Sequence, residues 1–587
     1  MIRFIRSRVA LVGFILIAAW TTITAMNMNR VYQDAWILDG IWIPLATLFI
    51  IYLFNVSFSS NLQRVSALTA AITFLLYIVP ALKYAVNYSS SVDSVVHTSL
   101  MRTIALTGQV EPSSSYAGTP GFHTLVAALS QISGISITFW AKMVSGLLGG
   151  IVPLAVYMLC RRSSLPVSLA KIIIIFSGLG LPLLYSLNGT TFTTPMFVLM
   201  LAILFLREVD QSQPGHKVSY TVLLLLYTSA IVFWHPSTSL IVPILIISLG
   251  MLAALDHGKK LFLEHSKKFT SLGVLGMTTV FSYWMYDADF VWSHFVKNIS
   301  LALQPDITPD LIPARLFEIT LKEQVLIALF YHARDGVLIF LGILGLIFLL
   351  SRAGQSAPFA RFIRTFGLMW LICFFPMLAI LGTGLGAQGY KRFLFYVVAA
   401  SPMLAGYGLW KGLQILRESV PWLSENGTVA ASLFLTLVIA SLQLYPYQPA
   451  VPTLAGGGSN RGETAILWLH QVNTSYQYHM LDFAYRNLPS DRQLIADYIG
   501  YQQVELFFGR DAKTRFRRTT NQEPQPAFVL LHWPGKAGAF GEQAEFRSLD
   551  AITAWRDRQG MSTVYDNGGS FILYYPDNPT NPFSLEK

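Results

Sequence analysis

The sequence predicts an all-α polytopic membrane protein that ends in a small extracytoplasmic α/β domain. Three observations carry this. Of the 587 residues, 53% are hydrophobic and only 12% are charged, whereas soluble domains carry about 25% charged residues. The apolar residues gather into runs near the roughly 20 residues needed to cross a hydrocarbon core of about 30 Å. After Tyr445 this pattern stops, and a stretch punctuated by Pro446, Pro449, Pro452 and Gly456–Gly458 leads into more polar, alternating sequence.

Taken in order, hydropathy places spans at roughly 9–26, 38–56, 65–83, 137–160, 168–187, 194–206, 217–234, 237–255, 270–286, 333–350, 365–382, 392–410 and 428–445, about 13 crossings. The first run follows Arg3, Arg6 and Arg8 and resembles a signal peptide, but no small-residue cleavage site precedes Asn27–Arg30. It is expected to stay as a first helix. The tail Pro120–Ser133 has helical spacing, is too short to span, and is expected to lie along the membrane surface. Residues 1–445 thus form the membrane domain, 446–461 a linker, and 462–587 the α/β domain. In that last part Gly462–Leu488 reads as an amphipathic helix and Phe528–Leu531 as a strand. Ser562–Tyr565 and Ser570–Tyr575 flank Asp566-Asn567-Gly568-Gly569, a hairpin turn signal.

The net charge of +10 belongs to the membrane part, because basic and acidic residues nearly balance after Arg461. Arg161, Arg162 and Lys171, then Lys259, Lys260, Lys267 and Lys268, then Arg352, Arg361 and Arg364 fall in alternate loops, while 188–193 and 235–236 carry no Lys or Arg. The positive-inside rule then sets the N-terminus in the cytoplasm and the C-terminal domain outside a plasma membrane. Basic loops of this origin do not imply a nucleic-acid partner. Cys160 and Cys373 both fall inside apolar runs, so they read as small buried hydrophobes with no disulfide framework.

The most informative polar segment is Ser91–His123, on the outer face just past the third span. Asp93 and His97 are four apart, so on a helix they share a face. That pairing suits a general base, a metal site or a helix cap. His123 follows Thr119-Pro120-Gly121-Phe122, in which Pro and Gly set a turn before a helix. Arg102 is suited to a phosphate or to snorkelling, and Glu111 reads as solvated. Lys391 and Arg392 open the twelfth span on the basic-poor side; a guanidinium fork favours phosphate, with Lys as a point charge. His235-Pro236-Ser237 makes a tight outer hairpin. Asp287 and Asp289 suit oxygen ligation of a divalent cation or plain solvation beside an aromatic belt. There is no Walker A loop, no GxGxxG after a strand and no HExxH. No cofactor is expected, and no motif supports a divalent cation.

Together these residues are similar to a known pattern. D-x-x-x-H (Asp93, His97), Thr107-Gly108, Tyr116, P-G-F-H (Pro120–His123), a short helix, a span ending in Cys160-Arg161-Arg162, and late Lys391-Arg392-Phe393 followed by Ser401-Pro402 resemble membrane glycosyltransferases of the GT-C fold, related to the dolichyl-phosphate-mannose–protein mannosyltransferases. The resemblance implies a polyprenyl-phosphate-linked sugar as donor and transfer with inversion to a glycan, lipid or protein acceptor. It implies Asp93 as base with His97 beside it, Arg392, Lys391 and Arg102 around the donor phosphate, and Tyr116, His123 and His235 as substrate-binding residues. The sequence departs from the pattern in carrying Asp93-Ser94 where an Asp-Glu doublet is common. It also lacks the WWDYG signature of oligosaccharyltransferases, which disfavours whole-glycan transfer to asparagine. Two other classes fit the layout. A transporter or flippase for a lipid-linked or polar solute calls for ionisable residues near mid-membrane, whereas here they cluster at outer helix ends. A non-catalytic polysaccharide-assembly scaffold predicts that Asp93 is dispensable.

Overall fold

The computed structural model describes residues 47–83, 92–110, 118–179, 195–206, 214–255, 266–303, 321–350, 360–381, 386–419 and 475–488 together with five strands, apart from a few positions within these ranges. Spans 9–26 and 428–445, most of 38–56, the linker and Tyr116 lie outside the described residues. The helices are α1 (Leu62–Lys83), α2 (Val92–Thr107), α3 (Gly121–Ser133), α4 (Ile137–Arg162), α5 (Val167–Leu179), α6 (Pro214–Val232), α7 (Pro236–Leu255), α8 (Ser266–Tyr286), α9 (Asp289–Ala302), α10 (Leu321–Leu350), α11 (Ala360–Leu381), α12 (Gly386–Ser419) and α13 (Ser475–Asn487).

One large apolar core runs through α1, α4, α5, α7, α10, α11 and α12, with Ile72, Phe176, Trp370, Val397 and Leu404 fully or almost fully buried. The seam between α10 and α12 is built on small residues: a Cβ at Gly408 would strike the Leu341 carbonyl, and one at Gly345 the Leu404 carbonyl. Backbones can approach this closely only where neither helix projects a side chain. Ser401, beside the helix-internal Pro402, accepts 2.9 Å from the Trp370 indole N–H of α11 and donates 2.7 Å to the Val397 carbonyl. The Ser401-Pro402 pair is therefore part of the α11–α12 contact. Cys160 and Cys373 are buried, as their apolar context predicts.

Among the described residues, Phe139–Arg162 is long and apolar enough to cross a membrane, and α1, α5, α6, α7, α10 and α11 hold shorter apolar stretches. Leu147, Ile151, Leu154 and Met158 form an exposed stripe along α4. In water such a patch is unfavourable; against lipid it is neutral.

Three helices run beyond the hydropathic reading. α10 starts at Leu321 rather than near 333, and α12 at Gly386 rather than at 392, while α9 occupies part of a segment read as an outer connection. The cause is shared by α10 and α12. Hydropathy registers polarity, but Lys322, Glu323, Arg334, Gln388 and Lys391 are polar and good helix formers. Arg392 is therefore the seventh residue of a helix, and not at a loop's end.

The C-terminal strands are β1 (Gln493–Ala496), β2 (Phe516–Arg518), β3 (Ala527–His532), β4 (Ser562–Asp566) and β5 (Ser570–Tyr575). They form one sheet in the order β2-β1-β3-β5-β4. β1 pairs parallel with β2 and β3; β5 pairs antiparallel with β3 and β4. The expected hairpin is present, with a register irregularity between Thr563 and Tyr565. α13 packs on β3 and β5. The described C-terminal elements are a mixed sheet with a helix packed on it, and β1 and β2 carried no strand signal in the sequence.

Candidate active site

The polar segment Ser91–His123 holds the helix α2, and Pro120–Ser133, expected to be helical, holds α3 packed against it. α3 starts after Pro120 and stops at Gly134, which adopts a left-handed conformation (φ 67°) open to glycine at little cost. Ser136 then caps α4 by accepting from the Phe139 N–H. α2 and α3 pack through Leu100, Ile104 and Ala127, and both meet α4 through Met101, Phe122, Val126, Ala141 and Val144. Gln131 Nε2 donates to the Ala105 carbonyl at 2.7 Å, a second tie between α2 and α3.

His97 and His123 meet across this contact. Their Nδ1 and Nε2 atoms are 2.7 Å apart, and the rings stack at 4.9 Å between centroids. They are 3% and 2% exposed. Such a bond needs one N–H and one lone pair, so protonating both rings would set N–H against N–H. Burial lowers the His97 pKa to about 4. Burial, reinforced by the charge of His97, also holds His123 well below the ordinary imidazole range, against a smaller opposing pull from the Thr119 backbone. At neutral pH the pair is uncharged. Asp93 is the second residue of α2, one turn before His97 and on the same face by helical register. Arg102 is exposed and lies about 140° around the helix from His97.

The Gly118–His123 turn is where other rim elements arrive. The Gly121 N–H donates to the Phe233 carbonyl at 2.8 Å. A Cβ on Gly121 would lie 2.9 Å from Trp234 Cδ1, and one on Gly118 would lie 2.7 Å from the Ala288 Cβ. Glycine is needed at both for close approach. The turn thus docks on the α6–α7 hairpin and on the α8–α9 corner. Trp234 stacks at a tilt on Phe122, and Phe233 meets Tyr283 edge-on. Asp289 falls in the first turn of α9, where a carboxylate favours the helix dipole.

His235 lies in the same hairpin. Its Nδ1 is 3.1 Å from Thr238 Oγ1, which is 2.6 Å from the Tyr396 hydroxyl on α12. Tyr396 is one helical turn inward from Arg392, with Lys391 beside it in sequence. The described residues therefore bring His97 to His123 and tie His235 to the helix that carries Arg392. Thr238 and Tyr396 escaped the sequence reading. Their available signal was position: Thr238 is a polar residue early in an apolar span, and Tyr396 repeats the Arg392 face four residues on.

The profile of DUF6541, a family of unknown function, matches residues 56–499. No curated protein matches the sequence. Among solved structures, an oligosaccharyltransferase from Archaeoglobus fulgidus, tethered with an acceptor peptide containing the NVT sequon, is similar at a TM-score of 0.49 and 14% identity, covering 88% of this chain and 74% of that one. ArnT from Cupriavidus metallidurans bound to undecaprenyl phosphate is similar at 0.46 and 14%, covering 88% and 98%. Likenesses of this size carry no weight for the chemistry.

Proposed function

The chain belongs to DUF6541, a family of unknown function, and we propose that it is an integral-membrane glycosyltransferase of the GT-C type. In this reading it moves a sugar from a polyprenyl-phosphate donor to an acceptor on the outer face. The acceptor hydroxyl attacks the anomeric carbon while the Asp93 carboxylate takes its proton. The bond to the lipid phosphate breaks on the opposite side, which inverts the configuration. The departing phosphate is stabilised by Arg392 and Lys391, so no general acid is needed, unlike the carboxylate pair of a glycosidase. Arg102, exposed on another face of α2, is assigned to the membrane interface. His97 and His123 fasten the helix that carries Asp93 and do not themselves transfer protons.

The observation that carries this reading is the His97–His123 hydrogen bond between α2 and α3. It fastens the helix bearing Asp93 to the turn on which two other rim elements dock. The D-x-x-x-H and P-G-F-H motifs thus belong to one assembly. The test is Asp93→Asn, which keeps the shape and removes the base. We expect folded protein with transfer lowered roughly 10²–10⁴-fold, measured with radiolabelled polyprenyl-phosphate sugars in membranes. Transfer near the parental rate sinks the assignment.

A further inference from the structure

Two hydroxyls are buried where hydroxyls are costly. Thr238 is 0% and Tyr396 1% exposed, among apolar neighbours such as Val242, Val397 and Phe197, the last edge-on to the Tyr396 ring at 5.0 Å. They bond to each other, and Thr238 also reaches the half-buried His235. A net hydrogen bond contributes little stability, whereas packed apolar groups serve equally well. What such a bond adds is direction.

That direction falls at a particular point. Pro402 lies inside α12, and a helix-internal proline loosens the ladder and permits a swivel. Inward of Pro402 the helix is clamped at Gly406 against Ile173 and at Gly408 against α10. Outward of it stand Tyr396 and, one turn further, Lys391 and Arg392. The rotation of this outer segment sets which face of the helix carries positions 391 and 392.

We infer that Tyr396 and Thr238 are positioning residues for the phosphate end of the site: the His235–Thr238–Tyr396 chain locks the outer segment of α12 and so aims Arg392. The inference rests on the reading of Arg392 as a phosphate group's partner. It accounts for a tyrosine, and not a phenylalanine, in an apolar core. It also gives the His-Pro hairpin a second duty beside docking the Gly121 turn.

The test uses the purified full chain in detergent, with farnesyl phosphate as probe and farnesol as its uncharged control. Tyr396→Phe and Thr238→Val should each weaken farnesyl phosphate binding about tenfold, leave farnesol binding and Tm nearly unchanged, and be mimicked by no loss in Thr238→Ser. Unchanged phosphate affinity in both variants, with Arg392→Ala abolishing it, overturns the inference and leaves the glycosyltransferase reading standing. Equal losses for phosphate and alcohol reduce the chain to a structural role and also overturn it. If Arg392→Ala keeps the preference for phosphate over alcohol, the donor-phosphate reading fails and takes the inference with it.

Discussion

At the scale of single residues, the paired imidazoles give the molecule an acid weakness. The folded-state pKa of His97 is about 4 and that of His123 is also lowered, whereas an unfolded histidine titrates near 6.5. Between these limits the unfolded chain binds more protons, so stability rises with pH across the window. The contribution is complete above about pH 6.5 and is lost as pH falls toward 4. Thermal unfolding in detergent, followed by tryptophan fluorescence, should show Tm dropping over that range. In the doubly substituted protein His97→Asn with His123→Gln, amide groups stand where Nδ1 and Nε2 met and cannot titrate. That protein should show a flatter Tm profile, and an unaltered profile would locate the weakness elsewhere. The shared face of Asp93 and His97 could be read from spacing alone, because four residues make about one helical turn. The His97–His123 contact could not, since 26 residues separate them and only tertiary packing joins them.

At the scale of elements, the Gly118–His123 turn is the crossing point of the rim. Gly121→Ala sets a methyl against Trp234 Cδ1 and the Phe233 carbonyl, and a backbone oxygen cannot rotate away as a side-chain end can. We expect a loss of about 1–3 kcal/mol, typical of overpacking, read as a lower Tm together with lower transfer activity. A full-activity, full-stability variant would mean that α3 docks otherwise. The sequence announced α3 clearly, through Pro120-Gly121 at one end and Gly134 at the other. It announced α12 only from Arg392 onward, because Gly386–Tyr390 is rich in glycine and weakly apolar. β4 and β5 were legible from Asp566-Asn567-Gly568-Gly569. The four-residue β1 and three-residue β2 are too short for periodicity to register, and their parallel pairing depends on partners far along the chain.

At the scale of the whole molecule, the orientation can be read directly. Cys160 and Cys373 are buried, so the parent protein should react little with a membrane-impermeant maleimide. Single cysteines placed at Gln109, exposed beyond α2, and at Thr563, exposed in the C-terminal sheet, should both label in intact cells. A cysteine replacing Arg162 at the end of α4 should label only after the membrane is opened. Labelling of position 162 in intact cells, with 109 protected, would reverse the proposed topology. α12 is the element that binds the bundle, since it lies against α5, α10 and α11. It is also late in the chain, more than 200 residues after α5 is complete. During synthesis the faces of α5, α10 and α11 that α12 covers go without it until Gly386–Ser419 leaves the ribosome. The Asp93 end of the rim is therefore made long before Lys391 and Arg392 arrive. In the proposed reading, a chain caught halfway through insertion carries Asp93 without Lys391 and Arg392, and so is chemically silent until α12 slides home.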